Sequence, residues 1–245
     1  MAANTLFFSV IGKSLEKFSE EAIKHGGPAL VAAGFAGPLA GASAAILSYA
    51  VPALVSAMFE AIKENKEVEK KLDALIEGPF NTAEDILDAV LRGNWRTDEQ
   101  KQERRRMLSA ASDRLFDAYG IAENVRPELA APIRVLHAVV LALRPEAQPI
   151  FENVIQEYRG LAAGARVQAY DALERAKGLD DERIYIAALQ GATEQTAYQI
   201  QGTLALSIPM AQQGLRREAE TLTARAAEID RFCTLLLTIA TNRDT

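Results

Sequence analysis

The sequence predicts an all-α protein: a multi-helix bundle with an N-terminal helical unit around a central apolar helix and a long antiparallel C-terminal bundle. Three observations carry that expectation. Apolar residues recur at helical spacing along nearly the whole chain, and no run alternates at period two between turn residues as strands do. Gly26 to Phe59 contains no charged side chain, which suits a helix buried in a helical domain or one that enters a bilayer. Near the C-terminus Leu215, Ala219, Leu222, Ala226, Ile229, Cys233, Leu236 and Ala240 keep an alternating four-three spacing, the seam of packed helices.

Thr5 to Lys24 forms an amphipathic helix, with Leu6, Val10, Leu15, Phe18 and Ala22 on one face and Lys13, Glu16, Lys17, Glu20 and Glu21 on others. His25-Gly26-Gly27-Pro28 stops it. The charge-free segment divides at Gly34 to Pro38, and Pro38 suits the first turn of a helix running into Ile62. Pro52 kinks that helix. Glu77-Gly78-Pro79-Phe80-Asn81-Thr82 reads as a stop, with Asn81 or Thr82 capping a new helix through Ile86, Leu87 and Val90. Gly93-Asn94 breaks again, and Thr97-Asp98-Glu99-Gln100 is a capping box. It opens a helix bearing Met107, Leu108, Ala111, Leu115 and Ala118 that Gly120 ends. A shorter, more apolar helix runs from Pro127 to Leu143, with Leu129, Ile133, Leu136, Val140 and Leu143 in register, closed by Arg144-Pro145. Three long helices then begin near Pro149, Asp180 and Pro209. The chain divides either as 1–93, holding the apolar segment 26–59, and 94–245, or as one continuous domain; Leu91 to Thr97 and Arg144 are the candidate boundaries.

Composition narrows the function classes. A formal net charge of −6 over 245 residues argues against a general nucleic-acid binder, whose affinity comes from basic groups that displace counterions, and leaves room for local basic patches. Cys233 is the single cysteine, so neither an intrachain disulfide nor a cysteine-based zinc site can form. Charges follow the first apolar residues at once, unlike a secretory signal. The expected location is the cytoplasm, with conditional membrane association.

No catalytic signature, metal site or cofactor is expected, and the chain reads as non-enzymatic. His25 and His137 are not spaced as a metal pair; His25 reads as a surface or cap residue and His137 as a hydrogen-bonded core residue. Glu84, Asp85 and Asp88 read as a solvated acidic face near a helix N-terminus. The glycines from Gly26 to Gly41 lack the lysine and strand context of a phosphate loop, and Cys233 on its seam reads as a small core residue.

Three constellations remain. Ala29, Ala33, Gly37, Gly41 and Ala45 fall every four residues, a small-residue ladder that lets another helix approach closely. Leu39 to Phe59, at about 1.5 Å per residue, could span a hydrocarbon core of about 30 Å. Arg92, Arg96, Lys101, Arg104, Arg105 and Arg106 with Trp95 could meet an anionic leaflet or a partner, or form an exposed helix face with i,i+4 ion pairs. Gln195 to Leu215 is uncharged but amide-rich; it reads as a helix packed within the bundle, with an assembly surface as the alternative.

The N-terminal pattern, an amphipathic helix, a Gly/Ala-rich segment and a charged helix ending in Lys71-Leu72-Asp73-Ala74-Leu75-Ile76-Glu77-Gly78-Pro79-Phe80-Asn81-Thr82, resembles the killer domains of the Bell, HeLo and mixed-lineage-kinase-like helical group. The resemblance reaches to about residue 90. It implies a membrane-perturbing effector of prokaryotic immunity or programmed death, stored as a soluble bundle and activated by oligomerisation. The apolar helix pair of pore-forming colicins, shielded by amphipathic helices, is similar more loosely.

The expected function is thus an effector that permeabilises membranes once a trigger exposes its apolar segment. Its insertion candidates are Phe7, Phe8, Ile11, Leu39, Ile46, Leu47, Val51, Leu54, Val55 and Phe59. Its expected partners are a second copy of the chain, an anionic membrane and an activating protein. The alternative is a soluble scaffold or adaptor in which the segment is permanent core.

Overall fold

In a computed structural model of the chain, residues 8–17, 20, 44–63, 74–179, 188–190 and 193–243 are described. The described residues are helical throughout apart from short turns, and no strand occurs among them. The helices are α1 (residues 8–17), α2 (Ala44–Lys63), α3 (Ala74–Arg92), α4 (Asp98–Val125), α5 (Pro127–Ala142), a 3-10 turn (Pro145–Ala147), α6 (Gln148–Gly178) and α7 (Glu194–Asn242). The chain divides into two compact units, Met1–Tyr158 with Asp230–Thr245, and Arg159–Ile229. The Leu91-to-Thr97 turn and Arg144 both lie inside the first unit, and α6 and α7 each run from one unit into the other.

In the first unit α3 packs on α4, α4 on α5, and α2 on both α3 and α5. Among the described residues α5 is the most fully buried helix: Leu129, Ile133, Val135, Leu136, Val139, Val140 and Leu141 are all core. Beyond its first turn only Ala131, Arg134 and His137 are half-buried, and a helix this apolar must be covered on most of its circumference, so α5 shares with α2 the central place expected of the Gly26-to-Phe59 segment. The last turns of α7 and the first of α6 complete this core through Phe151, Tyr158, Phe232, Leu235 and Leu236, with the Tyr158 and Phe232 rings 6.1 Å apart.

Local signals set some boundaries and burial overrides others. Thr97 caps α4 as its sequence requires: its hydroxyl accepts from the Gln100 N–H, and the Gln100 side chain accepts from the Thr97 N–H at 3.0 Å. Gly93 follows the end of α3, and Arg144-Pro145 the end of α5. The Gly78-Pro79 stop does not form, and neither Asn81 nor Thr82 caps a helix; α3 runs through both. Ile76, Phe80, Ala83, Leu87 and Val90 make one buried stripe across that point, and burying the large ones at about 1.5–3 kcal/mol each offsets the roughly 3 kcal/mol that a helical proline costs. Gly120 likewise does not end α4, which continues through buried Ala122 to the Arg126-Pro127 break. Nor does Pro209 start a helix. It lies exposed within α7, where the Ile208 side chain is buried and the seam carries on past it.

In the second unit α6 and α7 are antiparallel. Ala176 faces Gln212, whose amide donates to its carbonyl at 3.4 Å, while Ala169 and Ala172, earlier in α6, pack on Ala219 and Leu222, later in α7. The α6 side of this seam includes Ala169, Ala172 and Ala176, small residues at three-four spacing that accept the larger Leu222 of the predicted α7 seam. The helix expected from Asp180 falls outside the described residues.

Candidate functional site

Of the insertion candidates, Phe7 and Leu39 lie outside the described residues, as do His25 and the ladder positions Ala33, Gly37 and Gly41. Ala45, Ile46 and Leu47 belong to α2, but their side chains lie outside the description. The remainder converge on the core. Ile11 of α1 and Val51, Leu54, Val55 and Phe59 of α2 are buried, together with Met58 and Ile62, and Phe8 is half-buried. Phe59 meets Phe80 of α3 edge-on, ring centroids 4.7 Å apart. Beyond Ala53, α2 shows solvent only Ser56, Glu60 and Lys63, a stripe of one residue per turn. Both charges of that stripe are paired: Lys17 of α1 bridges to Glu60, and Lys63 bridges to Glu84 of α3. Among the described residues no helix is long and apolar enough to cross a membrane.

The residues of the basic cluster are engaged differently. Arg92 pairs with Asp88 at 2.7 Å and Arg106 with Glu103 at 3.7 Å. Half-buried Arg104 turns toward the C-terminus and donates to the Arg243 carbonyl at 3.4 Å. Arg243 in turn donates from one guanidinium nitrogen to the carbonyls of Ala142 and Arg144 and to the Gln148 side chain. Arg96, Lys101 and Arg105 are exposed. Trp95 is a structural plug: its indole N–H donates to the Val90 carbonyl at 2.7 Å, satisfying a backbone acceptor at the end of α3, and its ring lies over Gly93. The i,i+4 face weighed from the sequence accounts for Arg92, while Arg104 and Trp95 are committed to the fold.

The titratable candidates sit apart. Glu84 and Asp88 are held in the ion pairs above, and Asp85 is exposed. His137 on α5 meets buried Ser112 on α4, ring nitrogen to hydroxyl 2.8 Å. Burial, with the Arg144 and Arg134 guanidiniums, lowers its pKa from 6.5 to about 4, against the opposing pull of Asp113. The imidazole is therefore neutral near pH 7, a hydrogen-bonded residue of the α4–α5 interface. Among the described residues no three His, Cys, Asp or Glu side chains gather as a metal site would require.

Among the described residues, exposed apolar side chains include a group on α3 and α4 and a group on α7. In the first unit Leu75 and Pro79 of α3 with Phe116, Ile121 and Val125 of α4 line a shallow groove of about 730 Å³, with Leu75 and Phe116 both 64% exposed. In the second unit Tyr198, Leu206 and Met210 of α7 are exposed, and among the described side chains of the charge-free Gln195-to-Leu215 stretch only Ile208 is buried. The signal that separates its sides is in the sequence: Gln199, Thr203, Leu206, Met210 and Gln213 keep their own four-three spacing, distinct from that of the buried seam. No family model, curated protein or solved structure matches the chain, and the likeness to the killer-domain group rests on its N-terminal pattern alone.

Proposed function

We propose that this chain is a non-enzymatic helical scaffold or adaptor, in which α2 is permanent core and the work is done by helix surfaces offered to other proteins. The observation that carries this reading is the burial of α2. Val51, Leu54, Val55, Met58, Phe59 and Ile62 are six large side chains in the core; at about 1.5–3 kcal/mol each, exposing them to water costs on the order of 10 kcal/mol. That equals the whole stability of an ordinary domain. The Lys17–Glu60 and Lys63–Glu84 bridges along the open edge are exposed and contribute up to about 1 kcal/mol apiece, so they do not decide whether α2 stays folded in.

A second reading keeps the membrane-perturbing effector, activated by a partner protein, self-associating and acting on an anionic leaflet. It is favoured by the placement of α1, a short amphipathic helix whose pairing with the apolar helix crosses a solvated edge at Lys17 and Glu60. Flotation and dye release with anionic liposomes separate the two. The scaffold reading expects neither binding nor leakage from the full chain, nor from Glu60→Lys, which replaces the α1–α2 bridge with repulsion. Leakage by Glu60→Lys alone would favour the effector.

A further inference from the structure

The seam that α7 buries against α6 runs through Gln212, Leu215, Ala219 and Leu222. The opposite side carries a second stripe. Gln199, Thr203, Leu206, Met210, Gln213 and Arg217 follow one another at steps of four, three, four, three and four, and all six are exposed. Met210 precedes buried Ala219 by about two and a half turns, which places the stripe on the far face of the helix. Its two apolar members are 74% and 73% exposed, Leu206 and Met210 respectively. A four-three stripe with apolar residues at its middle is the pattern with which one helix packs along another.

The chemistry of the stripe selects its partner. Gln195 to Leu215 holds no charge, so a charged helix face laid on it would lose hydration without gaining an opposite charge. The stripe suits a copy of itself, and it is symmetric about residue 208. Set antiparallel, Leu206 meets Met210 of the second copy, Thr203 meets Gln213, and Gln199 meets Arg217. The centre is apolar and its flanks are polar. The Thr203 hydroxyl already donates to the Gln199 carbonyl at 2.9 Å, which leaves its oxygen to accept from the Gln213 amide of the other chain, and the Gln199 side-chain carbonyl can accept from Arg217. A parallel arrangement would instead set Arg217 against Arg217.

We propose that the outer stripe of α7, Gln199 to Arg217 about Leu206 and Met210, is a self-association surface that pairs antiparallel with the same stripe of a second copy. This goes beyond the scaffold reading and does not depend on it, because the stripe lies in the second unit and its test leaves α2 untouched. Sedimentation equilibrium of the full chain over micromolar concentrations is expected to show a monomer–dimer equilibrium. Leu206→Glu and Met210→Glu, each on an open helix face, should keep the helical circular dichroism and raise the dissociation constant at least about 30-fold, as for loss of a central anchor. Orientation is read with Leu206→Cys and Met210→Cys chains mixed and oxidised with diamide: disulfides between unlike variants are expected, with buried Cys233 present in both. A chain that stays monomeric, a dimer indifferent to both glutamates, or disulfides only between like variants would overturn the proposal.

Discussion

His137 makes the first unit sensitive to acid. Its folded pKa of about 4 lies below the 6.5 of an unfolded chain, so the neutral ring contributes stability that is fully present above about pH 6.5 and is lost as pH falls toward 4. The difference in pKa corresponds to about 3 kcal/mol at most. Urea titrations at pH 7 and pH 4.5 should show that loss in the wild type, and His137→Gln should flatten it. Gly93 is a second sensitive position. A β-carbon there would lie 2.3 Å from the Trp95 ring, so Gly93→Ala must displace the indole and break its bond to Val90, costing about 1–3 kcal/mol. Trp95 is the only tryptophan, so its emission reports the displacement directly; an unshifted spectrum with unchanged stability would contradict this account of the α3 end.

At the scale of elements, the sequence was legible where a signal is local and satisfied within a few residues. The Thr97–Gln100 box, the Gly93 break and the Pro127 start each depend on backbone groups beside them. It was illegible where a breaker meets a buried stripe: Pro79, Gly120 and Pro209 all lie inside helices because Ile76 and Phe80, Ala122, and Ile208 bury side chains across the break. The penalty of a helical glycine is still present in such places. Gly78 and Gly120 have open space where a β-carbon would sit, so Gly78→Ala and Gly120→Ala should each stabilise by about 0.5–1 kcal/mol in denaturant titrations. The α7 seam was readable as a heptad, whereas the alanine face of α6 that receives it was not, since alanine contributes little to an apolar pattern.

For the whole molecule, the sequence located the central apolar helix without saying whether it is held or poised, because the same residues suit both fates. What favours a held helix is its neighbours: α3 and α5 both pack on α2, and α5 is itself among the most buried helices. The central claim is therefore energetic, that α2 leaves its place only when the first unit unfolds. Native-state hydrogen exchange tests this most directly, by comparing the amides of Leu54 to Ile62 with those of Val139 to Leu141 as low urea concentrations are raised. The account predicts that both sets exchange with the same opening free energy and the same urea dependence, that of global unfolding. Exchange of α2 through a separate opening several kcal/mol lower, with a shallower urea slope, would contradict it.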